Sequence, residues 1–227
     1  MSAEFRFIDR GYKKSLILIP GWAMDYRIFS GLELGYNYLL PLKTHPFTLA
    51  EELLAILDKK SIDRVGLFGW SMGGFQALDF ALSHPARAEE LILLSIRKQY
   101  DPAILEKIAL KIKRNKKAFL YRFYLDCFYS CDNNGWAWFK DNLMRDYLNN
   151  FTSEELIYGL EYLAQVSISP GKLSLLPRVR IFHGEQDKIS PREDMINIKS
   201  LFPEIDLVIL KGAGHLPFFN PEFRRYF

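Results

Sequence analysis

Sulfur is scarce in this sequence, which holds two cysteines, Cys127 and Cys131, in 227 residues. They stand four apart on a stretch expected to be helical, where side chains are neighbours but disulfide geometry is poor. Two reduced thiols are therefore expected rather than a disulfide scaffold. No nearby histidine or further cysteine completes a ligand set, so no metal is expected. Charge of one sign is missing too: 30 Lys and Arg stand against 27 Asp and Glu, a net +3. That is too small for the basic footprint of a nucleic-acid-binding domain. No apolar run approaches the roughly 20 residues of a membrane span. The opening segment, MSAEFRFIDR, lacks the uninterrupted apolar stretch of a secretory leader, and a cytoplasmic protein is expected. Internal repeats and low-complexity segments are absent.

What is present is an average globular composition, 49% hydrophobic and 25% charged. A chain of this length can bury most of its apolar surface as one domain, so a monomer that folds without a partner is expected. Short continuous apolar runs at 15–19 (SLILI), 64–68 (RVGLF), 90–94 (ELILL), 179–182 (VRIF) and 205–210 (IDLVIL) read as strands buried on both faces. Helical spacing at 49–57 and 75–82 separates the early ones. Strands alternating with helices predict an α/β protein with a mostly parallel central sheet flanked by helices. The alternation breaks between about 101 and 169, where four helical segments can be drawn, near 101–115, 117–130, 135–148 and 152–165. The expected organisation is a core of 1–100 and 170–227, with 101–169 an all-helical lid insertion. The many aromatic residues of that insertion suit a thin helical layer that must fill its own core.

Gly69-Trp70-Ser71-Met72-Gly73 follows the run RVGLF directly and precedes a helical pattern. G-x-S-x-G arises by chance in chains of this length, but between strand and helix it describes a sharp turn that lifts a serine hydroxyl above a sheet. A serine hydroxyl is a poor nucleophile at neutral pH and needs a base, itself oriented by a carboxylate. VRIF leads into a loop carrying Glu185 and Asp187, and IDLVIL leads into Lys211-Gly212-Ala213-Gly214-His215. Parallel strands share their C-terminal edge, so both loops open where Ser71 stands. The reading is Ser71 as nucleophile, His215 as base and Asp187 as orienting acid. Glu185 is the rival acid; Asp187 is preferred because it lies deeper in the loop, before a Ser-Pro helix start. His45, His84 and His183 read as structural or exposed. The backbone N–H groups of Met72 and Trp22, the latter in the Pro20-Gly21-Trp22 turn, are the candidate oxyanion hole.

These motifs resemble the α/β-hydrolase superfamily over nearly the whole chain. The P-G-W-A-M-D and G-W-S-M-G-G segments are most similar to the pimeloyl-[acyl-carrier protein] methyl ester esterases of biotin synthesis. The resemblance implies an α/β-hydrolase fold with a helical lid, and a serine carboxylesterase that frees the pimeloyl carboxylate while the chain stays on its carrier protein. It implies substrate contacts at Trp22 and Met72. It also likens the lid segment from Arg122 through Phe123, Tyr124, Leu125, Asp126 and Cys127 to the family's acyl-pocket wall. Pro20 and Ala23 depart from the family's usual His and Gly, and the sequence ends at Phe227, leaving room for a short final helix or none.

The lid adds an observation of its own. From 107 to 122 there are seven basic residues and no acidic one, among them Lys111, Lys113, Arg114, Lys117 and Arg122, while Ile104, Ile108 and Ile112 hold the spacing for burial. Such a face could dock an acidic acyl carrier protein; a merely solvated helix face is the plain alternative. Other readings on the same frame are a general short-chain carboxylesterase, a carbon–carbon bond hydrolase, or a non-catalytic binding protein. The chemistry drawn needs no cofactor.

Overall fold

The structure, a computed structural model, describes residues 4–43, 45–131, 133–176 and 178–227, with the backbone alone for Asn133 and Pro170. Strands β1 (Glu4–Ile8), β2 (Ser15–Ile19), β3 (Asn37–Lys43), β4 (Val65–Trp70), β5 (Ala88–Leu94), β6 (Val179–Gly184) and β7 (Asp206–Leu210) form one sheet. Their spatial order is β1-β3-β2-β4-β5-β6-β7. Only β1 runs antiparallel to its neighbour; the rest are parallel, so the loops after β2, β4, β5, β6 and β7 emerge on one side. The five apolar runs are five of these strands. The other two escaped that reading for physical reasons. β1 is an edge strand of half-buried and exposed residues, and β3 contains Pro41. Pro41 lies beyond the stretch of β3 that pairs with β2, so its missing N–H breaks no bond there.

Helices α1 (Leu49–Lys59) and α2 (Met72–Ser83) belong to the sheet layer. Between β5 and β6 come α3 (Pro102–Cys127), α4 (Asn133–Phe139), a π-helical stretch (Lys140–Met144), α5 (Arg145–Asn150), α6 (Ser153–Leu163) and the single turn α7 (Pro170–Leu173). α3 is two helices in one, because Asn115 leaves the helical region at φ −159°, ψ 86°. The Asn115 side chain accepts the Ala118 N–H at 3.1 Å and so caps the second half, which is why two segments were legible on either side of it. α6 opens on a reciprocal capping box between Thr152 and Glu155. The final helix α8 (Arg192–Leu201) precedes β7. After β7 come two 3₁₀ turns, Pro217–Phe219 and Phe223–Tyr226, where a terminal helix could have stood. Phe223 packs against Phe182 with ring centroids 4.9 Å apart, so these turns help close the sheet.

One expectation about α3 is corrected. Ile104 is 50% exposed, and Leu105 takes the buried position with Ile112. Ile108 is half-buried and Ile112 buried as the isoleucine spacing suggested, so the stripe departs from it only in its first turn. Cys131 also lies past the end of α3 rather than on it, following a turn in which Ser130 has φ 65°. Among the described residues no helix is long and apolar enough to cross a membrane, and no cluster of three or more His, Cys, Asp or Glu is placed to hold a metal.

Candidate active site

Ser71 joins β4 to α2 at φ 53°, ψ −119°. That region is costly for a residue with a Cβ, on the order of 1–3 kcal/mol, and persists only where the surroundings impose it. They do so here: the Ser71 N–H donates to the Leu94 carbonyl at 2.8 Å, and the Gly74 N–H donates to the Ser71 carbonyl at 2.9 Å. A Cβ on Gly69 would overlap the Gly73 carbonyl, and one on Gly73 would overlap the Ile19 carbonyl. The two flanking glycines are thus a steric requirement of the elbow. Behind the hydroxyl stand the first N–H groups of α2, where negative charge is favoured.

His215 Nε2 lies 3.1 Å from Ser71 Oγ. Its Nδ1 lies 2.9 and 3.1 Å from the two carboxylate oxygens of Asp187. Nδ1–H therefore donates to the carboxylate, which leaves Nε2 bare to accept the serine proton. Asp187 also accepts the N–H groups of Ile189 at 2.8 Å and Ser190 at 2.9 Å. Burial alone would push this carboxyl up, but His215, His183 and the Ser190 N–H outweigh it and hold its pKa below the usual carboxylate value. The group stays ionised through the neutral range. Glu185 does something else, accepting the Gly212 N–H at 3.1 Å and bracing the turn after β7.

The three side chains are shielded from water: Ser71 is 6% and His215 1% exposed, and the Asp187 side chain is fully buried. The loop carrying His215 touches the end of β6 backbone to backbone, so closely that a Cβ on Gly184 would overlap the Gly214 carbonyl. The Trp70 indole donates to the His215 carbonyl at 2.7 Å and its rings stand 5.4 Å from the imidazole. The start of the first loop is equally close, since a Cβ on Gly21 would stand 3.1 Å from Ser71 Cβ. Neither the Trp22 nor the Met72 backbone N–H has an acceptor among the described residues. Both N–H groups are thus unpaired among the described residues.

The residues assigned by resemblance occupy mixed positions. The Trp22 side chain is buried, its indole donating to the Leu156 carbonyl of α6 at 2.8 Å. Phe123 packs edge-on against it at 5.0 Å. Met72 converges on the same spot: a Cβ on Gly159 of α6 would crowd the Trp22 indole and stand 3.5 Å from Met72 Sδ. Leu125 and Asp126 are half-buried, and Asp126 pairs with Arg122 at 3.5 Å on the exposed side. Tyr124 and Cys127 are fully enclosed; the Tyr124 hydroxyl donates to the Ala23 carbonyl at 2.9 Å, and burial pushes the Cys127 thiol up, keeping it protonated. The turn after α3 clamps the loop that carries Asp187, with Ser130 donating to Gln186 at 2.5 Å and Lys188 over the Tyr129 ring at 3.1 Å. Of the basic residues of α3, Lys111, Lys113, Arg114, Lys117 and Arg122 are exposed, whereas Lys116 is half-buried and donates to the Phe151 carbonyl. The break at Asn115 divides the exposed set between two helical axes. A cavity of about 240 Å³ lies against Gly214 and Leu216, on either side of His215, and is lined further by Ser130, Cys131 and Phe219.

Three neighbours of the site were not read from the sequence as parts of it. Trp70 occupies the first variable position of the elbow motif and could have been suspected there. Tyr100, whose hydroxyl lies beside Ser71 and Ser190, sits in an irregular segment after β5 that carries no local signal. His183 is fully buried with Nε2 2.9 Å from the Ser190 carbonyl and 3.7 Å from Asp187, while Nδ1 has no hydrogen-bond partner among the described residues. Burial lowers its pKa from 6.5, against the pull of Asp187, so the ring is neutral when folded. The unfolded chain binds that proton near pH 6.5 and the native one does not, so stability falls on acidification from there until the lowered native value is passed. Between about pH 7 and about pH 5, thermal midpoints should drop more steeply for wild type than for His183→Gln; equal slopes would contradict the assignment.

Comparison with known proteins agrees with this frame. A pimeloyl-[acyl-carrier protein] methyl ester esterase of Aeromonas hydrophila subsp. hydrophila is 26% identical, over 92% of this chain and 91% of that protein. Another of the same name, from Xylella fastidiosa (strain M23), is 27% identical over 92% and 91%. The solved structure of a thermophilic esterase from Thermogutta terrifontis superposes with a TM-score of 0.80 at 21% identity, covering 98% of this chain and 90% of that one; its likeness concerns the fold. The family profile for the alpha/beta hydrolase fold matches residues 35–222. Strand, elbow, helix and late histidine loop thus stand in a chain that belongs to the α/β-hydrolase family.

Proposed function

We propose that this chain is a serine carboxylesterase whose substrate is the methyl ester of pimeloyl-[acyl-carrier protein]. The observation that carries the reading is the unbroken relay from Ser71 through His215 to Asp187, at 3.1 and 2.9 Å, in a site shielded from water. His215 takes the Ser71 proton as the hydroxyl attacks the ester carbonyl. The Trp22 and Met72 N–H groups hold the oxyanion, and the departing methanol takes the proton back from His215. Water then repeats the cycle on the acyl-enzyme, activated by the same imidazole, and Ser71 leaves with the proton that completes it. Side chains and water close the chemistry. Because Ser71 is enclosed, substrate entry requires the helical layer over the sheet to shift.

The carrier-protein substrate is supported by the relatives' names, which apply over nearly the full length of both chains. The exposed cations of α3 support it in physical terms, since an acidic carrier would be steered to them. Rim charges act on encounter and are screened by salt. Raising ionic strength from about 0.05 M to about 0.5 M, or combining Lys113→Glu with Arg114→Glu, should lower kcat/KM on the carrier-bound ester about tenfold. Turnover of a short p-nitrophenyl ester should stay within about twofold under the same changes. Equal responses of the two substrates would leave a general short-chain carboxylesterase.

A further inference from the structure

We propose that Tyr124 is a positioning residue for the oxyanion hole: from lid helix α3 its phenol holds Ala23 in the left-handed conformation that shapes the turn carrying the Trp22 N–H. The inference rests on the serine-esterase reading above. Gly21 to Met24 form a tight turn, closed by the Met24 N–H on the Gly21 carbonyl at 3.3 Å. Of its two central residues only the second, Ala23, has positive φ, at 59°. That is the type II arrangement, whose third position favours glycine because a Cβ is strained there. An alanine remains in it only where neighbours impose it.

The imposing neighbour comes from the lid. The Tyr124 hydroxyl donates to the Ala23 carbonyl at 2.9 Å, with Tyr124 at 0% and Ala23 at 5% exposure. Two further bonds tie the same loop to the lid: the Trp22 indole to the Leu156 carbonyl, and the Tyr147 hydroxyl to Asp25 at 2.8 Å. The first anchors a side chain; Tyr147 also accepts the Asp25 N–H at 3.3 Å, but Asp25 lies beyond the four-residue turn, whereas Tyr124 holds the backbone of the turn itself. The turn stands against the nucleophile through Gly21, so its relaxation would move the Trp22 N–H relative to a carbonyl bound at Ser71. Displacing the lid to admit substrate would release Ala23, and reclosure would rebuild the hole. The effect therefore falls on the chemical step rather than on ground-state binding.

Tyr124→Phe keeps the ring and deletes the bond. It should lower kcat on a short p-nitrophenyl ester about tenfold, leave KM within about twofold, and weaken a tetrahedral boronate inhibitor in parallel with kcat. Adding Ala23→Gly, which removes the strain the phenol contains, should restore kcat in the double variant to within about threefold of wild type. Wild-type kcat in Tyr124→Phe, or a loss that glycine at 23 does not repair, overturns the role. If Tyr124→Phe is too unstable to assay, the double variant is compared with Ala23→Gly alone: equal kcat supports the role, and a several-fold gap overturns it. A Ser71→Ala control separates the two readings. Turnover that survives in that control removes the serine mechanism and the positioning role with it; a dead control beside an unaffected Tyr124→Phe removes the positioning role alone.

Discussion

Ser71→Ala is expected to lower kcat on any ester the protein hydrolyses by about 10⁴–10⁶-fold and to abolish labelling by a fluorophosphonate. The size of the effect follows from the geometry. The hydroxyl is the only group within hydrogen-bond distance of His215 Nε2 among the described residues, and its removal leaves water as the nucleophile in a site that largely excludes it. What survives should be the contribution of the oxyanion donors and of substrate binding. Alanine suffers the same positive φ as serine at this turn, so the fold should be retained and the melting curve should barely move. The measurement is a paired one, with labelling and hydrolysis set beside thermal denaturation. Wild-type labelling of Ser71→Ala in a folded protein would end the mechanism.

Asp187→Asn should cost about 10³–10⁴-fold in kcat with little loss of structure. The amide can still accept from Ile189 and Ser190, so the loop keeps its shape. Its NH₂ group, however, can donate to His215 Nδ1, which would place the imidazole proton on Nε2 and face Ser71 with a donor instead of an acceptor. It also removes the negative charge opposite the imidazolium that forms during attack. Glu185→Gln supplies the comparison. Its carboxylate touches only the Gly212 N–H among the contacts described, so it should lose no more than a fewfold. The reverse ranking, with Glu185→Gln inactive and Asp187→Asn within tenfold of wild type, would reassign the acid.

Much of this architecture was legible because both faces of the central strands are covered, which leaves nearly uninterrupted apolar runs in the sequence. The same logic explains what was not. β1 is an edge strand facing solvent, and β3 carries a proline tolerated only beyond its pairing with β2, so neither writes a continuous run. The helical layer was readable to within a few residues, since Asn115 and the Thr152 capping box punctuate it with caps. Its burial was misread only in the first turn of α3, where Leu105 rather than Ile104 is buried, because apolar residues at helical spacing do not say which neighbour takes the helix packing there. At the site, Ser71, Asp187 and His215 were legible because each stands at the end of a strand. The Tyr124 bond to Ala23 was not, because it joins residues 101 positions apart, and Tyr100 was not, because it sits in an irregular segment with no local signal.

The contact between Gly184 and Gly214 has a consequence beyond the relay it supports. Because main chain presses on main chain there, the separation of Asp187 and His215 is inherited from the sheet rather than negotiated by flexible side chains. That spacing is set below the helices between β5 and β6, whose side chains away from Tyr124 and the turn at 129–130 can change to admit new acyl groups while Asp187 and His215 stay in place. Changes of substrate range should accumulate in those helices, and the paired glycines should be the last positions to yield.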